Sequence, residues 1–336
     1  MDEESSISES VFALRHGAFP RTPELPALLR EGDLVRGSAR AYRILGAPLE
    51  VDVNNAACHR ARAEDSGEIV FFKAYLNPAP GGENDWTEAY VAHSAALYRR
   101  VAESPAGACC VPLRDVFLGE PARFPGARFL YSAFPFVGDG RTLRELLALP
   151  PGSPEAPTPR ERLALARDFV RGLSRLHALG VVHSDLKPDN VQISAGTSPA
   201  SRFEAKINDL DFAFFEDETP PWAHARGPTG TRWYYAPEFV AYGATDRRGD
   251  VFSATLVLCE LLCGAHPCRL AAAEKGVSYD ALLCAGTPCC ADAVPPFVAP
   301  PEDAGRARAL ADLLRLGLST DADRRPAAAD FAAVLR

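Results

Sequence analysis

The residues whose types and spacing favour chemistry lie in one short stretch, Val181 to Ile193, which reads VVHSDLKPDNVQI. Asp185 and Asn190 stand five positions apart in this stretch, with Lys187 between them. A carboxylate can accept a proton, and carboxylate and amide oxygens are ligands for a hard metal ion. In a loop that contains proline, however, Asp and Asn are more often turn formers. The surrounding elements must therefore decide what this pattern means.

A helix that leads into this stretch is clearly marked in the sequence. Thr158 and Glu161 have the spacing of a capping box, and Pro159 occupies the first helical position. Apolar residues then recur at helical spacing until Gly180. These residues are Leu163, Ala166, Phe169, Val170, Leu173 and Leu176. We expect this helix to deliver the chain into the loop.

Further upstream the sequence is rich in predicted strands. AYRILGAPLEVDV, ACHRARA and EIVFFKAYL read as three strands with short connections, and VPLRDVFL and RFLYSAF complete an expected five-stranded sheet. The sequence therefore predicts a β-rich region that precedes a helical one.

Together the motifs resemble the eukaryotic protein kinase family, from about residue 42 to residue 336. HSDLKPDN resembles the catalytic-loop pattern H-R-D-x-K-x-x-N, with Ser184 in place of the arginine. GPTGTRWYYAPE is very close to the end of a kinase activation segment and finishes at Glu238. Asp250, in GDVFSATLVLCELLCG, matches the aspartate of a buried central helix, and Arg325 matches the arginine that pairs with Glu238.

The resemblance implies an α+β, bilobal protein kinase-like fold with a small β-rich N-lobe and a larger helical C-lobe. It places a mobile N-terminal leader at residues 1–38 and the kinase-like domain at residues 39–336. Within that domain we expect the N-lobe at about 39–134, the hinge at about 135–140 and the C-lobe at about 141–336.

The resemblance also implies roles for the catalytic and metal-binding residues. Asp185 would be the base for the incoming hydroxyl, and Lys187 would contact the transferred phosphate. Asn190 and Asp209 would hold Mg²⁺ against the phosphates of ATP. Asp209 opens the triplet Asp-Leu-Asp, in which Asp211 replaces the glycine of the kinase pattern.

Lys73 and Glu88 complete the expected nucleotide site. Lys73 lies on an apolar strand, where a kinase lysine would reach the ATP phosphates. Taken alone, a lysine in a strand is more often an edge or solvent-facing residue. Glu88 lies early in WTEAYVAHSAALYRRV, about fifteen residues later, and would pair with Lys73. Glu83 is the weaker candidate for this pair, because PAPGGEN is typical of a loop. VDVNNA stands where a glycine-rich loop should cradle phosphate, so we expect weak nucleotide binding.

Composition and charge narrow the classes of partner. The net charge of −8 argues against nucleic acid, and no run of about 18 apolar residues predicts a membrane span. The chain opens MDEESSISES, so we expect an intracellular protein, cytoplasmic or nuclear. The nine cysteines are then expected to be reduced, without bound zinc. The sequence leaves the oligomeric state open.

Three functions fit these observations. The first is a Ser/Thr protein kinase that uses ATP and Mg²⁺ on a protein hydroxyl, since Lys187 and Thr231 resemble the Ser/Thr pattern. The second is a pseudokinase scaffold with weak or no nucleotide binding, which the missing glycines and Asp211 favour. A small-molecule phosphotransferase is the third, but such enzymes lack the A-P-E segment and its arginine partner. With Ser184 in the catalytic loop, activity is expected without phosphorylation of the activation segment.

Overall fold

The computed structural model describes residues 28–52, 56–79, 85–137, 140–150, 152–196, 201–223, 231–284, 289–296 and 304–336. The chain divides into two compact units. The sheet unit consists of Met1–Arg99, Pro112–Phe136 and Pro220–Gly227. The helical unit consists of Arg100–Val111, Val137–Thr219 and Pro228–Arg336. One of the points where the chain passes between the units follows Phe136.

The sheet unit contains a six-stranded antiparallel sheet in the order β1-β2-β3-β4-β6-β5. Its strands are β1 Leu34–Arg36, β2 Ala41–Asp52, β3 Ala56–Ala63, β4 Ile69–Pro78, β5 Asp115–Gly119 and β6 Phe129–Pro135. The prediction of five strands is therefore one short, because three residues before β2 pair back onto it as β1.

One face of this sheet forms an aromatic core. Tyr42, Phe72 and Tyr131 are fully buried in it, and the ring centroids of Phe72 and Tyr131 lie 5.6 Å apart. Leu28 and Leu29 pack into the same cluster although they belong to the predicted leader. Burial of these leucines removes apolar surface from water, which stabilises the chain where a mobile leader was expected. The predicted boundary at residue 38 is therefore too late, and residues 1–27 lie outside the described part.

The helical unit contains most of the helices of the described chain. After α1, Thr87–Ala102, they are α2 Leu143–Leu147, α3 Pro159–Ala178, α4 Pro237–Tyr242, α5 Arg247–Cys263, α6 Pro267–Lys275, α7 Tyr279–Cys284, α8 Cys289–Asp292, α9 Ala304–Gly317 and α10 Ala328–Val334. Two short antiparallel pairs accompany them, β7 Val181–Val182 with β10 Phe214–Phe215 and β8 Val191–Ala195 with β9 Phe203–Ile207.

Helix α3 begins as its sequence predicts. The Thr158 hydroxyl accepts from the Glu161 backbone, and the Glu161 carboxylate accepts from the Thr158 backbone at 2.9 Å. Glu161 also accepts from Arg202 at 2.8 Å, and this hydrogen bond lowers the pKa of Glu161 to about 2. Every apolar residue predicted for the inner face of α3 is buried. The capping box thus fixes the helix that leads to the catalytic loop.

The cysteines differ from the prediction at one pair. Cys268, near the start of α6, and Cys290, in α8, form a disulfide with their Cα atoms 4.7 Å apart. The two positions are 22 residues apart and match no spacing motif, so only the packing of the two helices brings them together. None of the other cysteines whose side chains the structure describes forms a disulfide.

Among the described residues, no single helix is both long and apolar enough to cross a membrane. Arg247–Cys263 and Pro267–Lys275, which meet at 90°, reach that threshold only as a pair, by length and composition.

Candidate active site

Asp250 fixes the backbone of the catalytic loop. Its carboxylate is 1% exposed and accepts from the backbone N–H groups of His183 at 2.7 Å and Ser184 at 2.8 Å. Ser184 has a φ of 61°, a left-handed conformation that costs energy for a residue with a side chain. His177 Nε2 lies 3.0 Å from the same carboxylate. The sequence motifs did not predict this contact of His177, and the only feature that could have indicated it is the position of His177 in the last turn of α3.

Asp185 is buried and is held on one side only. Its Oδ2 lies 3.1 Å from Lys187 Nζ and accepts from Asn190 Nδ2 at 3.1 Å. Asn190 Nδ2 also donates to the backbone carbonyl of Asp185 at 2.8 Å. The Oδ1 atom is buried without a hydrogen-bond partner among the described residues. Since an unsatisfied buried oxygen is unfavourable, this atom is suited to receive a donor from a ligand.

Lys187 links this carboxylate to the end of the activation segment. Its ammonium group donates to the Thr231 hydroxyl at 2.7 Å while it contacts Asp185. The lysine side chain is 22% exposed, so its charge lies at the edge of the site and not within the core. This position allows Lys187 to face both Asp185 and an incoming anionic group.

The catalytic loop also positions the segment that contains Asp209. The Ser184 hydroxyl donates to the Phe212 carbonyl at 2.7 Å, and His183 Nε2 lies 3.0 Å from the Asn208 carbonyl. These contacts hold the chain on both sides of Asp209, which itself has a φ of 60°. In the sequence Ser184 stands where the kinase pattern has arginine, and in the structure its hydroxyl holds the chain after Asp209 through the Phe212 carbonyl.

The Asp-Leu-Asp triplet has a buried apolar residue at its centre. Leu210 is 2% exposed. Asp211 is 6% exposed, and Asp209 is half-buried.

The candidate metal ligands are one amide and one carboxylate, from Asn190 and Asp209. No group of three or more His, Cys, Asp or Glu side chains with metal-binding geometry occurs in the described ranges. The amide nitrogen of Asn190 donates to Asp185. The amide oxygen of Asn190 is therefore the atom that would bind a metal ion. Together with the Asp209 carboxylate it supplies hard oxygen donors, which suit Mg²⁺ because that ion typically takes few protein ligands and completes its shell with water and phosphate.

Lys73 lies on β4 as predicted. It pairs in register with Cys58 on one neighbouring strand and Ser132 on the other. Side chains alternate along a strand, so Lys73 occupies the face opposite to buried Phe72. Its ammonium group also lies 5.2 Å from the centroid of the Tyr75 ring.

Glu88 makes a different contact from the one predicted. Its carboxylate is 63% exposed and lies 2.5 Å from Arg128, which also lies 3.5 Å from Asp85. The expected Lys73–Glu88 pair is therefore replaced by an Arg128–Glu88 ion pair. Glu88 belongs to the first turn of α1 and falls on its exposed side.

The buried side of α1 explains this difference. It consists of Thr87, Tyr90, Ser94, Leu97, Tyr98 and Val101. These positions follow helical spacing, and none of them is acidic. The spacing of these residues in the sequence could have shown which side of α1 is buried. Glu88 lies on the other side.

The hairpin of β2 and β3 corresponds to the expected phosphate loop. The two strands pair as far as Asp52 and Ala56. The stretch VDVNNA covers residues 51–56, where β2 ends and β3 begins, and residues 53–55 lie outside the described part.

Glu238 and Arg325 form the pair that the motifs predict. The Arg325 guanidinium, with a fully buried side chain, donates to both carboxylate oxygens of Glu238 at 2.7 Å. It also donates to the backbone carbonyls of Arg248 and Ser319 at 2.9 Å. A planar guanidinium satisfied in this way is a strong link between α4 and the chain before α10.

The fold and this constellation are those of a protein kinase domain. A β-rich region is followed by a helical one, and the catalytic loop, the Asp-Leu-Asp segment and the Glu238–Arg325 pair take their expected places. A family model described as "Protein kinase domain" matches residues 136–333. The chain therefore belongs to the protein kinase family.

Similar proteins bear names of the same class. The serine/threonine-protein kinase PknB of Mycobacterium tuberculosis is 29% identical over 172 residues, which cover 51% of this chain and 26% of PknB. A probable LRR receptor-like serine/threonine-protein kinase of Arabidopsis thaliana is 37% identical over 106 residues, covering 31% of this chain and 16% of that protein. A G-type lectin S-receptor-like serine/threonine-protein kinase of Arabidopsis thaliana is 30% identical over 126 residues, covering 36% and 13%. The matched region thus spans only a minor part of these relatives.

Proposed function

We propose that this chain is a Ser/Thr protein kinase that transfers the γ-phosphate of ATP to a hydroxyl of a protein substrate. The observation that carries this proposal is the state of Asp185. Its carboxylate is buried, Lys187 and Asn190 hold one oxygen, and the other oxygen has no partner among the described residues. A carboxylate in this state is ready to orient a hydroxyl and take its proton.

The transfer step follows from these contacts. The substrate hydroxyl donates to Asp185 Oδ1, and its oxygen forms a bond to the γ-phosphorus as the bond from phosphorus to the bridging oxygen of ADP breaks. The hydroxyl proton passes to Asp185. Lys187 holds Oδ2 and faces the transferred phosphate.

ATP and Mg²⁺ are the typical substrate and cofactor of the family. Asn190 and Asp209 would hold Mg²⁺, which when bound neutralises charge on the phosphates. Lys73 would contribute a further positive charge to the phosphates from the sheet unit. The hydrogen bonds of Ser184 and His183 to the chain on both sides of Asp209 would keep its carboxylate in place.

Specificity for Ser and Thr rests on two observations. Lys187 lies between Asp185 and Thr231, which is the arrangement expected of a Ser/Thr site. The similar proteins named above are also called serine/threonine-protein kinases.

The second candidate function is a pseudokinase scaffold, and the contact of Glu88 favours it. Glu88 is exposed and pairs with Arg128, while the buried side of α1 has no acid among the described residues. Glu88 therefore does not supply the contact to Lys73 that the family pattern expects, and Asp211 stands where that pattern has glycine. Such a protein would bind partners, and nucleotide weakly, without phosphate transfer.

A transfer assay with radiolabelled ATP and Mg²⁺ separates the two functions. The parent protein should label casein on serine or threonine, and Asp185→Asn should reduce the rate by about 10²- to 10⁴-fold, the range for loss of a general base. Asp312→Asn, which changes an exposed carboxylate on α9, is the matched control and should keep the parent rate.

Three results would change this conclusion. Undiminished transfer by Asp185→Asn contradicts the role of Asp185. Labelling mainly on tyrosine contradicts the Ser/Thr assignment. No transfer by a folded parent protein supports the scaffold.

A further inference from the structure

The segment Arg232–Tyr235 lies next to the proposed catalytic base. Thr231, the residue before it, accepts a hydrogen bond from Lys187 at 2.7 Å. Tyr234 lines the same small cavity as Asp185. The position of this segment therefore shapes the space that an acceptor hydroxyl must enter to reach Asp185.

The start of α6 supports this segment through one histidine and one arginine. Nε2 of His266, the residue before α6, lies 2.8 Å from the Trp233 carbonyl, and the His266 ring centroid lies 5.3 Å from that of Tyr234. The Arg269 guanidinium lies 4.7 Å from the centroid of the Trp233 ring. His266 also accepts from the Arg269 backbone, which ties both supporting side chains to the first turn of α6.

Helix α7 supports the same segment from its own first turn. The Tyr279 hydroxyl donates to the Tyr235 carbonyl at 3.1 Å, and the Tyr279 ring centroid lies 5.0 Å from that of Trp233. The Arg232 guanidinium donates to both carboxylate oxygens of Asp280, at 2.7 and 2.9 Å. All four residues of the segment thus contact α7 or the start of α6.

The disulfide between Cys268 and Cys290 closes a loop around these supports. Cys268 is two residues after His266, and the 22-residue separation of the two cysteines includes all of α7. A cross-link restricts the conformations that such a loop can adopt when it opens. Loss of the bond should therefore loosen α6 and α7 together and, with them, the segment Arg232–Tyr235.

Thiol–disulfide exchange is the chemistry open to this pair. Within the described ranges, no cluster of three His, Cys, Asp or Glu side chains surrounds a metal position, so the two sulfurs have no third ligand of that kind beside them. Both cysteines are buried, and Cys290 belongs to a helix of only four residues. Exchange therefore requires this short helix to separate from α6.

We propose that Cys268 and Cys290 form a reversible thiol–disulfide site that controls the segment Arg232–Tyr235. The disulfide form fixes the segment beside the catalytic loop, and the dithiol form releases it. The reaction partner is a low-molecular-weight thiol and its disulfide. In the reduction, two molecules of the thiol become one disulfide, the bond between the two protein sulfurs breaks, and each protein sulfur receives one electron and one proton. The bearing of this switch on phosphate transfer rests on the proposed function.

A permanent structural disulfide makes a different prediction. Such bonds resist reduction by glutathione, so the bond would persist in that reagent. Its removal by other means would lower the stability of the helical unit as a whole. A switch, in contrast, responds to glutathione and acts locally on the segment.

Titration of the full chain with glutathione tests the exchange. The protein is equilibrated with mixtures of reduced and oxidised glutathione, free thiols are blocked with iodoacetamide, and the blocked cysteines are identified by mass spectrometry. We expect Cys268 and Cys290 to become reactive together as the mixture becomes more reducing. A pair that stays bonded in reduced glutathione alone, or that never bonds in oxidised glutathione, overturns the proposal.

A substitution identifies the partner of Cys268 in this titration. Cys290→Ser keeps the adjacent Cys289 and should abolish the bond. A bond that persists in this variant assigns the partner to Cys289 and contradicts the proposed pair.

Hydrogen exchange measures the effect on the segment. The Tyr234 and Tyr235 amides donate to the carbonyls of Thr231 and Arg232, so their exchange reports whether the segment is intact. We expect reduction to speed their exchange by about tenfold to hundredfold, within the range for removal of a cross-link around a loop of this length. The amides of β8 should not change. Equal exchange of the two tyrosine amides in both redox forms overturns the proposal, and so does an equal rise in β8, which would mean that the whole helical unit has opened.

Two further variants separate the disulfide from the other thiols. Cys268→Ser should show the fast exchange of the reduced parent in every glutathione mixture. Cys263→Ser, the matched control, changes a thiol of α5 outside the disulfide and should respond like the parent. A Cys268→Ser protein that still responds to glutathione contradicts the role of this disulfide. If Cys268→Ser does not fold, the parent in its two redox forms carries the test, because that comparison needs no substitution.

These measurements also separate this inference from the proposed function, because neither uses ATP. Redox-dependent exchange of the segment without phosphate transfer by the parent keeps the inference and rejects the kinase activity. Transfer by the parent with unchanged exchange of the segment does the reverse.

Discussion

The catalytic loop of the helical unit and the lysine strand of the sheet unit differ in how their charged side chains are paired. In the loop, Asp185 contacts both Lys187 and Asn190, and Asp250 holds the backbone beneath them. In the sheet unit, Lys73 occupies its predicted strand, but Glu88 pairs at the surface with Arg128. The groups proposed to act on the acceptor hydroxyl therefore contact one another within the helical unit, whereas the pair expected to hold the nucleotide does not form. Substitutions in the helical unit and in the sheet unit should therefore have different effects.

The largest stability effect should come from the helical unit, at the Glu238–Arg325 pair. Arg325→Met leaves Glu238 without its partner, and breaking a buried ion pair costs about 3 to 5 kcal/mol of unfolding free energy. Arg248→Met, which changes a half-exposed arginine paired with Asp246 and Asp323, should cost less than about 1 kcal/mol. Urea unfolding followed by circular dichroism measures both. Equal losses for the two variants would show that the buried pair adds no special stability.

Two buried histidines extend the comparison to pH. His266, in the helical unit, accepts from the Arg269 backbone at 3.2 Å and contacts the Trp233 carbonyl at 2.8 Å, and burial lowers its pKa to about 4. The unfolded chain binds this proton at a pKa of about 6.5. The unfolded state therefore gains protons first, so stability falls as pH drops from about 6.5 to 4, by about 3 kcal/mol at most.

Unfolding of the parent and of His266→Gln across this pH range checks the prediction. The variant should lose part of the acid sensitivity. An identical pH dependence of the two proteins would exclude His266 as its source.

His59 in the sheet unit should behave differently on substitution. It is fully buried in β3, and neither ring nitrogen has a hydrogen-bond partner among the described residues. Burial lowers its pKa, so acid also acts against its native, neutral form. His59→Leu removes two unsatisfied polar atoms and should be neutral or stabilising, whereas His266→Leu loses two hydrogen bonds and should cost about 1 to 3 kcal/mol. A large loss for His59→Leu alone would reveal a partner for its ring.

The smallest expected effect is that of Glu88 on nucleotide binding, and Lys73 provides the comparison. Lys73→Met should weaken binding of ATP with Mg²⁺ by about tenfold to hundredfold, the value of a charged hydrogen bond. Glu88→Gln should change it less than about twofold, because its ion pair with Arg128 is exposed. Calorimetric titration of both variants provides the comparison. Equal weakening would restore the predicted Lys73–Glu88 pair.

Local hydrogen bonds and family motifs made much of this protein predictable. The start of α3 follows from Thr158 and Glu161, which lie three residues apart and bond to each other. The placement of Asp185 beside Asn190, and of Glu238 opposite Arg325, follows from motifs that the family shares. Side chains alternate along β4, so the sequence also implies that Lys73 lies on the face opposite to Phe72.

The sequence by itself thus determined the kinase fold and the composition of the catalytic loop, because short-range spacing and motif order encode both. Only the tertiary structure decided that Glu88 faces solvent, that Cys268 meets Cys290, and that Arg144 reaches Glu260 from 116 residues away. Each of these depends on how a helix is rotated or packed against distant chain. The free energy of such a contact comes from burial and from long-range charge, and neither can be read from neighbouring residues.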